Sequence, residues 1–535
     1  MANYTINEIQ SALRDKKYLQ EKLYVNGFLL TDDTLQLNEG YPFYGNWSET
    51  QLFQYRLYTH KDAVLTVYST ENAVFFLIGH AVDPFSKLCN ERDILQKLAD
   101  AYHSGAMKAY SNALLDLTGV YCTGLILQDG AYISNDCTGM QIVYYGSVGG
   151  RLYVSSHSKL VADLLGLKQS PYIERLVGSR YYHYMGTWLP GDLSPFPELR
   201  RLVPNHFIHA ASDGQMKAIR FFPLTPIRED TDESYFDETI RELSSLMHTT
   251  LALYAEKWPQ KKVAISITGG RDSTTTLACA NGLYDRFHFF SYISNEPERV
   301  DAVAAQKICQ HLGLEHETYI IPNDAASISD LDAFAIVLEC NAGCIGKNNP
   351  NDVRKRLYFI QNPKFDIEIK SWVNELGRGS QYVKYNKTKF PKKPTASYCR
   401  ALYKIHVSPR MIHDTDQVFR AYLKKYYSDD LLQNNPWMEL FWWEFCWSGG
   451  EGIFLTAEHR TSYEIAIPYN NRRYVAKMLT VPADQRRKDA IPIGIIKHMN
   501  PEIAKTGVVI KDIEHTDKRA LLMRAYLDVF SKLRF

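Results

Sequence analysis

The chain has 535 residues, 45% of them hydrophobic and 23% charged, a composition that excludes a disordered or fibrous protein and suits about two to four globular domains. A formal net charge of +1 gives no global attraction to nucleic acid or to an anionic membrane. No apolar run approaches membrane-spanning length, and the cysteines, scattered from Cys89 to Cys446, make no disulfide framework.

The start, Met1-Ala2-Asn3-Tyr4-Thr5-Ile6-Asn7-Glu8, lacks the basic then apolar order of a signal peptide. A cytoplasmic location is therefore expected, and the Asn46-Trp47-Ser48 sequon is expected to stay unmodified. From about residue 25 to about residue 210 the chain reads as short strands separated by turn signals. Leu117 to Leu127 runs into the hairpin turn Gln128-Asp129-Gly130-Ala131 and on to Tyr132-Ile133-Ser134; Ile142 to Tyr145 and Arg151 to Lys159 follow. A polar segment between Phe222 and Asp237, with Pro223, Pro226 and the run Arg228-Glu229-Asp230-Thr231-Asp232-Glu233, marks the boundary between domains expected at 1–221 and 222–535.

Beyond it, Val263-Ala264-Ile265-Ser266-Ile267 is an apolar strand that runs into Thr268-Gly269-Gly270-Arg271-Asp272-Ser273. The glycines permit a turn closed to residues with a Cβ, and successive N–H groups with the next helix's N-terminus form a nest for phosphate oxygens. Ser273 can donate a hydroxyl hydrogen bond, and Asp272 can hold Mg²⁺. The loop is neither a Walker A loop nor a G-x-G-x-x-G turn. A helix from Ser273 to Leu283 is expected next, then a strand from Phe287 to Ile293. A second helix, from about Glu298 to Leu312, would bury Val300, Ala304, Ile308 and Leu312, and a strand from Thr318 to Ile321 closes the unit. This alternation predicts a parallel doubly wound sheet with its ligand at the carboxyl ends of the strands.

Thr268 to Ser273 resembles the S-G-G-x-D-S loop of the ATP pyrophosphatases, with Thr for the first Ser, and Asp301 to Glu317 is similar to asparagine synthetases. The order of the first half resembles the glutaminase domain of that family, through Asp136-Cys137-Thr138-Gly139, the strand ending Ser156-His157-Ser158-Lys159, and Leu202-Val203-Pro204-Asn205-His206. The resemblance implies an α/β protein: an N-terminal Ntn-hydrolase-like αββα sandwich, then a doubly wound parallel-sheet ATP pyrophosphatase domain with a helical C-terminal part. A working glutaminase of this kind exposes a Cys at its mature N-terminus. Here Ala2 follows Met1 and the first Cys is Cys89, so glutamine is not the expected nitrogen donor, as in β-lactam synthetases and lasso-peptide cyclases.

The resemblance further implies that Ile267, Thr268, Gly269, Gly270, Arg271, Asp272, Ser273, Ile293 and Lys370 contact ATP. The family's second loop, S-G-x-G-x-D-E, has its nearest match in Asp366 to Tyr382. Glu375 matches the Glu and is assigned a catalytic role, while Asn374 stands in place of the metal-binding Asp. With Asp272 it would hold Mg²⁺ through its carbonyl oxygen, without adding negative charge. Lys370 or Arg378 can compensate by neutralising phosphate, or they are surface cations beside a loop. Ala466 to Arg473 is similar to the family's P-[FY]-L-D-x-R segment, with Asn471 for Asp. Lys488 corresponds to the lysine that meets the α-phosphate, with Arg486, Arg487 and Lys497 as competitors. Lys384 to Pro394 reads as a solvated loop, Trp437 to Trp447 as core helix, and Cys340 and Cys344 as buried thiols rather than metal ligands.

The function expected is an ATP- and Mg²⁺-dependent carbon–nitrogen ligase. It adenylates a carboxylate, releases AMP and pyrophosphate, and passes the acyl group to an amine or ammonia. Its partners would be a carboxylate-bearing small molecule or peptide and an amine; a second copy of the chain is allowed, and no membrane or nucleic acid is expected. A catalytically reduced scaffold and a loop-family transferase acting on a nucleobase are the alternatives.

Overall fold

The computed structural model describes residues 4–179, 182, 188–212, 214–323, 328–345, 349–404, 408–508 and 517–535. Ala2, on which the argument about the N-terminal nucleophile rests, lies outside them. The first half contains two six-stranded antiparallel sheets. In spatial order the first runs Arg200–Arg201, Tyr144–Val148, Arg151–Ser155, Phe28–Thr31, Tyr55–His60, Trp47–Leu52. The second runs Met216–Arg220, His206–Ala211, Gly130–Asn135, Thr118–Leu127, Val74–Val82, Leu65–Ser69.

Strand periodicity explains how the sheets stack. Alternate residues of both, among them Phe28, Leu30, Leu57, Phe76, Ile78, Cys122, Ile133 and Val154, form one buried cluster between the sheets. Their neighbours Leu29, Tyr58, Phe75 and Leu77 point the other way, into the cluster shared with helical residues such as Leu95, Leu98 and Leu160. Helix Glu91–Leu114 packs on the second sheet, and helix Ser158–Leu165 packs beside Arg151–Ser155. The layering is helix, sheet, sheet, helix.

The second half is built on a five-stranded, wholly parallel sheet in the order Glu317–Ile320, His288–Ile293, Val263–Ser266, Ile367–Ile369, Glu464–Ala466. The chain lays two strands to one side of Val263–Ser266 and then returns to lay two on the other. This strand therefore ends at the topological switch point, where open α/β sheets bind ligands. Helix Ala490–Met499 packs on both Glu233–Lys257 and Arg271–Cys279, and most of the remainder is helical.

Two local expectations change. The helix after the glycines spans Arg271–Cys279, shorter than expected. In helix Glu296–His311 Ala304 and Ile308 are buried as expected but Val300 is 55% exposed, because the buried face is Ala302, Ala304, Ala305, Ile308 and Cys309. The lysine-rich stretch is the exposed loop expected, with local anchors: Lys387 pairs with Asp528, Lys393 with Asp429, and Phe390 packs edge-on against Tyr382 and Trp437. The tryptophan-rich segment is core, although it passes from an α-helix, Trp437–Phe441, into a π-helix, Trp442–Glu451.

The two halves are joined by buried polar contacts. Asp136 accepts hydrogen bonds from the amides of Gln141 (2.7 Å), Met140 (2.9 Å), Thr138 and Tyr121 (3.3 Å each), and from Asn470 Nδ2 (2.9 Å). Arg472, fully buried, donates to the carbonyls of Asn135 and Asp136 and to Asn205 Oδ1. Across the same seam Glu444 accepts from Arg220, Asn205 and Tyr427.

Candidate functional site

The Thr268–Ser273 turn stands at the carboxyl end of the central parallel strand. Its hydroxyls staple the loop. Gly270 N–H donates to Thr268 Oγ1 (3.1 Å), Thr268 N–H donates to Ser273 Oγ (3.1 Å), and the two hydroxyls lie 2.9 Å apart. The Thr268 hydroxyl thus holds the loop from within, and the Ser273 hydroxyl is turned inward rather than toward a ligand. Gly270 has φ −75° and ψ 158°, a conformation open to any L-residue, so the expected requirement for a special backbone turn does not apply there.

Helix Arg271–Cys279 has no side-chain N-cap, and its first intrahelical bond runs from Thr274 N–H to Gly270 C=O. Among the described residues the N–H groups of Arg271, Asp272 and Ser273 are left without an acceptor, which makes a cradle for an anion at the positive end of the helix. Ile267 is more committed: its N–H donates to Phe290 C=O (2.9 Å) and its carbonyl accepts from Ser291 Oγ (2.6 Å). The Ile293 carbonyl accepts from Ile321 N–H.

Four further residues gather at this end of the sheet. Asp272, in the first helical turn, has a side chain 20% exposed; its Oδ1 accepts from Asn374 Nδ2 (2.7 Å) and its Oδ2 from Arg378 Nη1 (2.8 Å). Burial raises the Asp272 pKa, and the Arg378 charge opposes that rise. Arg378 also forks onto Asp489, Nε to Oδ1 at 2.8 Å and Nη2 to Oδ2 at 3.2 Å. Asn374 and Arg378 both come from the 3₁₀ turn Asn374–Arg378, entered through Val373 at φ +80°. A β-branched residue in the left-handed region costs on the order of 1–3 kcal/mol.

Glu375 lies in the same turn. Its Oε2 is shielded from solvent and has no hydrogen-bond partner among the described residues, and burial together with the charges of Asp272 and Glu451 pushes its pKa up to about 8. Glu451, at the end of the π-helix, is pushed up by burial to about 7. Beside Glu375 opens a small cleft lined by Gly379, Tyr382, Met438, Glu439 and Trp442.

The two expected lysines differ. Lys370 follows the strand Ile367–Ile369, is 6% exposed, donates to Glu368 Oε1 (3.0 Å) and stacks over Trp372. Burial works to raise the Glu368 pKa, but Lys370 and Arg356 outweigh it and hold the carboxyl below its ordinary value. Lys370 is therefore half of a buried ion pair. Lys488 is exposed, in the turn before Ala490–Met499, and has no side-chain partner among the described residues. It adjoins Asp489, which Arg378 ties to Asp272. Its competitor Arg486 is fully buried against Glu439, Glu229 and the Val481 carbonyl.

The residues expected to hold Mg²⁺ meet protein partners in this arrangement. Both Asp272 oxygens are occupied by protein donors, and Asn374 turns its amide nitrogen, not its carbonyl, toward Asp272. Among the described residues no group of three His, Cys, Asp or Glu could hold a metal ion. The donors present therefore do not fit a divalent ion at Asp272 and Asn374. Arg378 was legible as a cation near the loop, but its ion pair with Asp272 spans 106 positions and had no local signal.

Residues 259–339, which contain the loop, match the family described as Asparagine synthase. No curated protein matches the chain in sequence. Two solved structures are similar at low identity. One is titled as the allosteric regulatory enzyme of purine biosynthesis, with 12% identity, TM-score 0.24, and alignment over 52% of this chain and 62% of that one. The other is glutamine phosphoribosylpyrophosphate amidotransferase from B. subtilis, complexed with ADP and GMP, with 11% identity, TM-score 0.23, and alignment over 78% and 91%. This chain thus spans less than two thirds of the first structure's length. No described helix is long and apolar enough to cross a membrane.

Proposed function

We propose that the protein is an ATP-dependent carbon–nitrogen ligase that works without hydrolysing glutamine. A substrate carboxylate oxygen attacks the α-phosphorus of ATP, the bond to the β-phosphate oxygen breaks, and pyrophosphate leaves. The nitrogen of an amine or ammonia then attacks the acyl carbon, AMP leaves with the bonding pair, and the nitrogen gives up a proton. The observation that carries this reading is the uncapped N-terminus of helix Arg271–Cys279 at the sheet's switch point, inside the segment that matches Asparagine synthase.

In this reading the amides of Arg271, Asp272 and Ser273, with the Gly269-Gly270 turn, hold the departing pyrophosphate, and Thr268 and Ser273 keep the loop in shape. Glu375, neutral below about pH 8, leaves the triphosphate unrepelled and has a proton to share. Lys488 supplies the mobile cation for charge that develops at the α-phosphate. Magnesium arrives on ATP, as part of the substrate. The absence of glutaminase chemistry is supported by the thiols of the first half: burial raises the pKa of Cys122, Cys137 and Cys89, so none is poised as a thiolate. The Asp272–Arg378 pair favours one rival, a catalytically reduced nucleotide-binding protein.

Exchange of labelled pyrophosphate into ATP separates the two. The ligase shows exchange when its carboxylate is supplied, and Lys488→Ala lowers exchange about a hundredfold while ATP affinity stays nearly constant. ATP binding without exchange across a broad set of carboxylates favours the rival. Wild-type exchange in the Lys488 variant removes that lysine from the reacting centre.

A further inference from the structure

Arg378 joins two carboxylates that stand at the starts of two packed helices. Asp272 is in the first turn of Arg271–Cys279, and Asp489 is the N-cap residue of Ala490–Met499. The guanidinium reaches Asp272 with Nη1 and Asp489 with Nε and Nη2. Asn374 closes the remaining oxygen of Asp272 with its amide nitrogen. An Asn at this place adds no negative charge, and with its nitrogen committed to a carboxylate its oxygen faces away from Asp272.

Two carboxylates around one cation resemble the charge arrangement of a metal site, but here the cation is covalently part of the chain. A guanidinium cannot lose its proton in the working pH range, and it binds phosphate oxygens through paired N–H groups. We infer that Arg378 is the built-in cation of this loop: it occupies the place of a divalent ion at Asp272 and residue 374, and it gives the bound triphosphate a protein-borne counter-charge. When the triphosphate binds, Nη1 exchanges Asp272 for a phosphate oxygen, while Asp489 keeps the other edge of the guanidinium in place. The inference rests on the nucleotide reading above for its second half and on the geometry alone for its first.

The test has two readouts. Titration of the nucleotide-free protein with Mn²⁺, followed by electron paramagnetic resonance, is expected to show no saturable site tighter than about 1 mM in the wild type. Arg378→Gln is expected to gain one, and Arg378→Gln with Asp272→Ala to lose it again. A wild-type Mn²⁺ site that Asp272→Ala removes would overturn the inference. In the second readout, labelled ATP is bound at equilibrium with Mg²⁺ or with EDTA. Wild-type affinity is expected to change by no more than about threefold between the buffers, and Arg378→Gln to weaken it about tenfold or more in EDTA. Arg378→Lys, which keeps the charge without the fork, should fall between them. Wild-type affinity in Arg378→Gln under EDTA overturns the phosphate half. If the wild type binds no ATP in either buffer, the nucleotide reading itself has failed, and the Mn²⁺ titration still decides whether Arg378 excludes the metal.

Discussion

Asp136 and Asp272 have similar partners, an Asn amide and a nearby Arg, yet they sit in regions of opposite character. Asp136 is fully buried in the seam between the halves and accepts five hydrogen bonds, with Arg472 packed against its backbone and over the Phe221 ring. Asp272 is partly exposed, has two partners, and borders a carboxyl oxygen with none and a valine at φ +80°. A buried carboxylate surrounded by donors holds a fold together. One with a single donor on each oxygen, beside strained backbone and free helix amides, is arranged for something that arrives later. Residue type does not separate the two regions; the number of donors and the exposure to solvent do.

The largest effect that would sharpen the comparison is expected at Arg472. Arg472→Ala takes a donor from the carbonyls of Asn135 and Asp136 and from Asn205 Oδ1 in a dry seam, the Asp136 carbonyl keeping the Gly139 N–H, and should cost about 3–5 kcal/mol in urea unfolding. A loss below about 1 kcal/mol would mean that apolar packing alone joins the halves.

A smaller effect is expected at Glu375, and it depends on pH. The folded-state pKa is raised to about 8 from the ordinary 4.5, so the folded protein keeps a proton that the unfolded chain releases. Stability from this group is therefore intact at low pH and is lost as pH rises between those two values. Glu375→Gln removes that loss. The variant's advantage over wild type in urea unfolding should be small near about pH 5 and grow to on the order of 1–3 kcal/mol near about pH 8.5. An advantage that does not vary with pH would mean that the Glu375 carboxyl titrates alike in the folded and unfolded chain.

What the sequence revealed depended on range. The loop was legible because strand, turn and helix start lie within a dozen residues, and each leaves a local mark. Thr276 shows the limit of that signal: its hydroxyl reaches Tyr469 and Ser371 from the middle of the same helix, contacts of long sequence separation. Asn470 and Arg472 read as part of a family segment, whereas their hydrogen bonds to Asp136 and Asn135 cross more than 330 positions into the seam. Val300 fits the helical period with Ala304 and Ile308 but faces solvent, because the width of the buried stripe on a helix is decided by the neighbouring sheet. Asn374 was recognised as a departure from a metal-binding Asp, yet its partner could not be known without the fold that brings Asp272 within 2.7 Å.

The central claim, that the free amides at the start of Arg271–Cys279 exist to hold phosphate, is tested most directly by filling them. Gly270 is the N-cap residue, its backbone suits an L-residue, and an added Cβ would come no nearer than 3.2 Å to Thr268 Oγ1. Gly270→Asp places a carboxylate where it can cap those amides, a change that should leave the fold unharmed or more stable by a few tenths of a kcal/mol. Equilibrium dialysis with labelled ATP is the measurement. The account predicts a variant that melts at or above the wild-type temperature and binds ATP about a hundredfold more weakly. A stable variant that binds ATP as tightly as wild type would show that the nucleotide is held elsewhere.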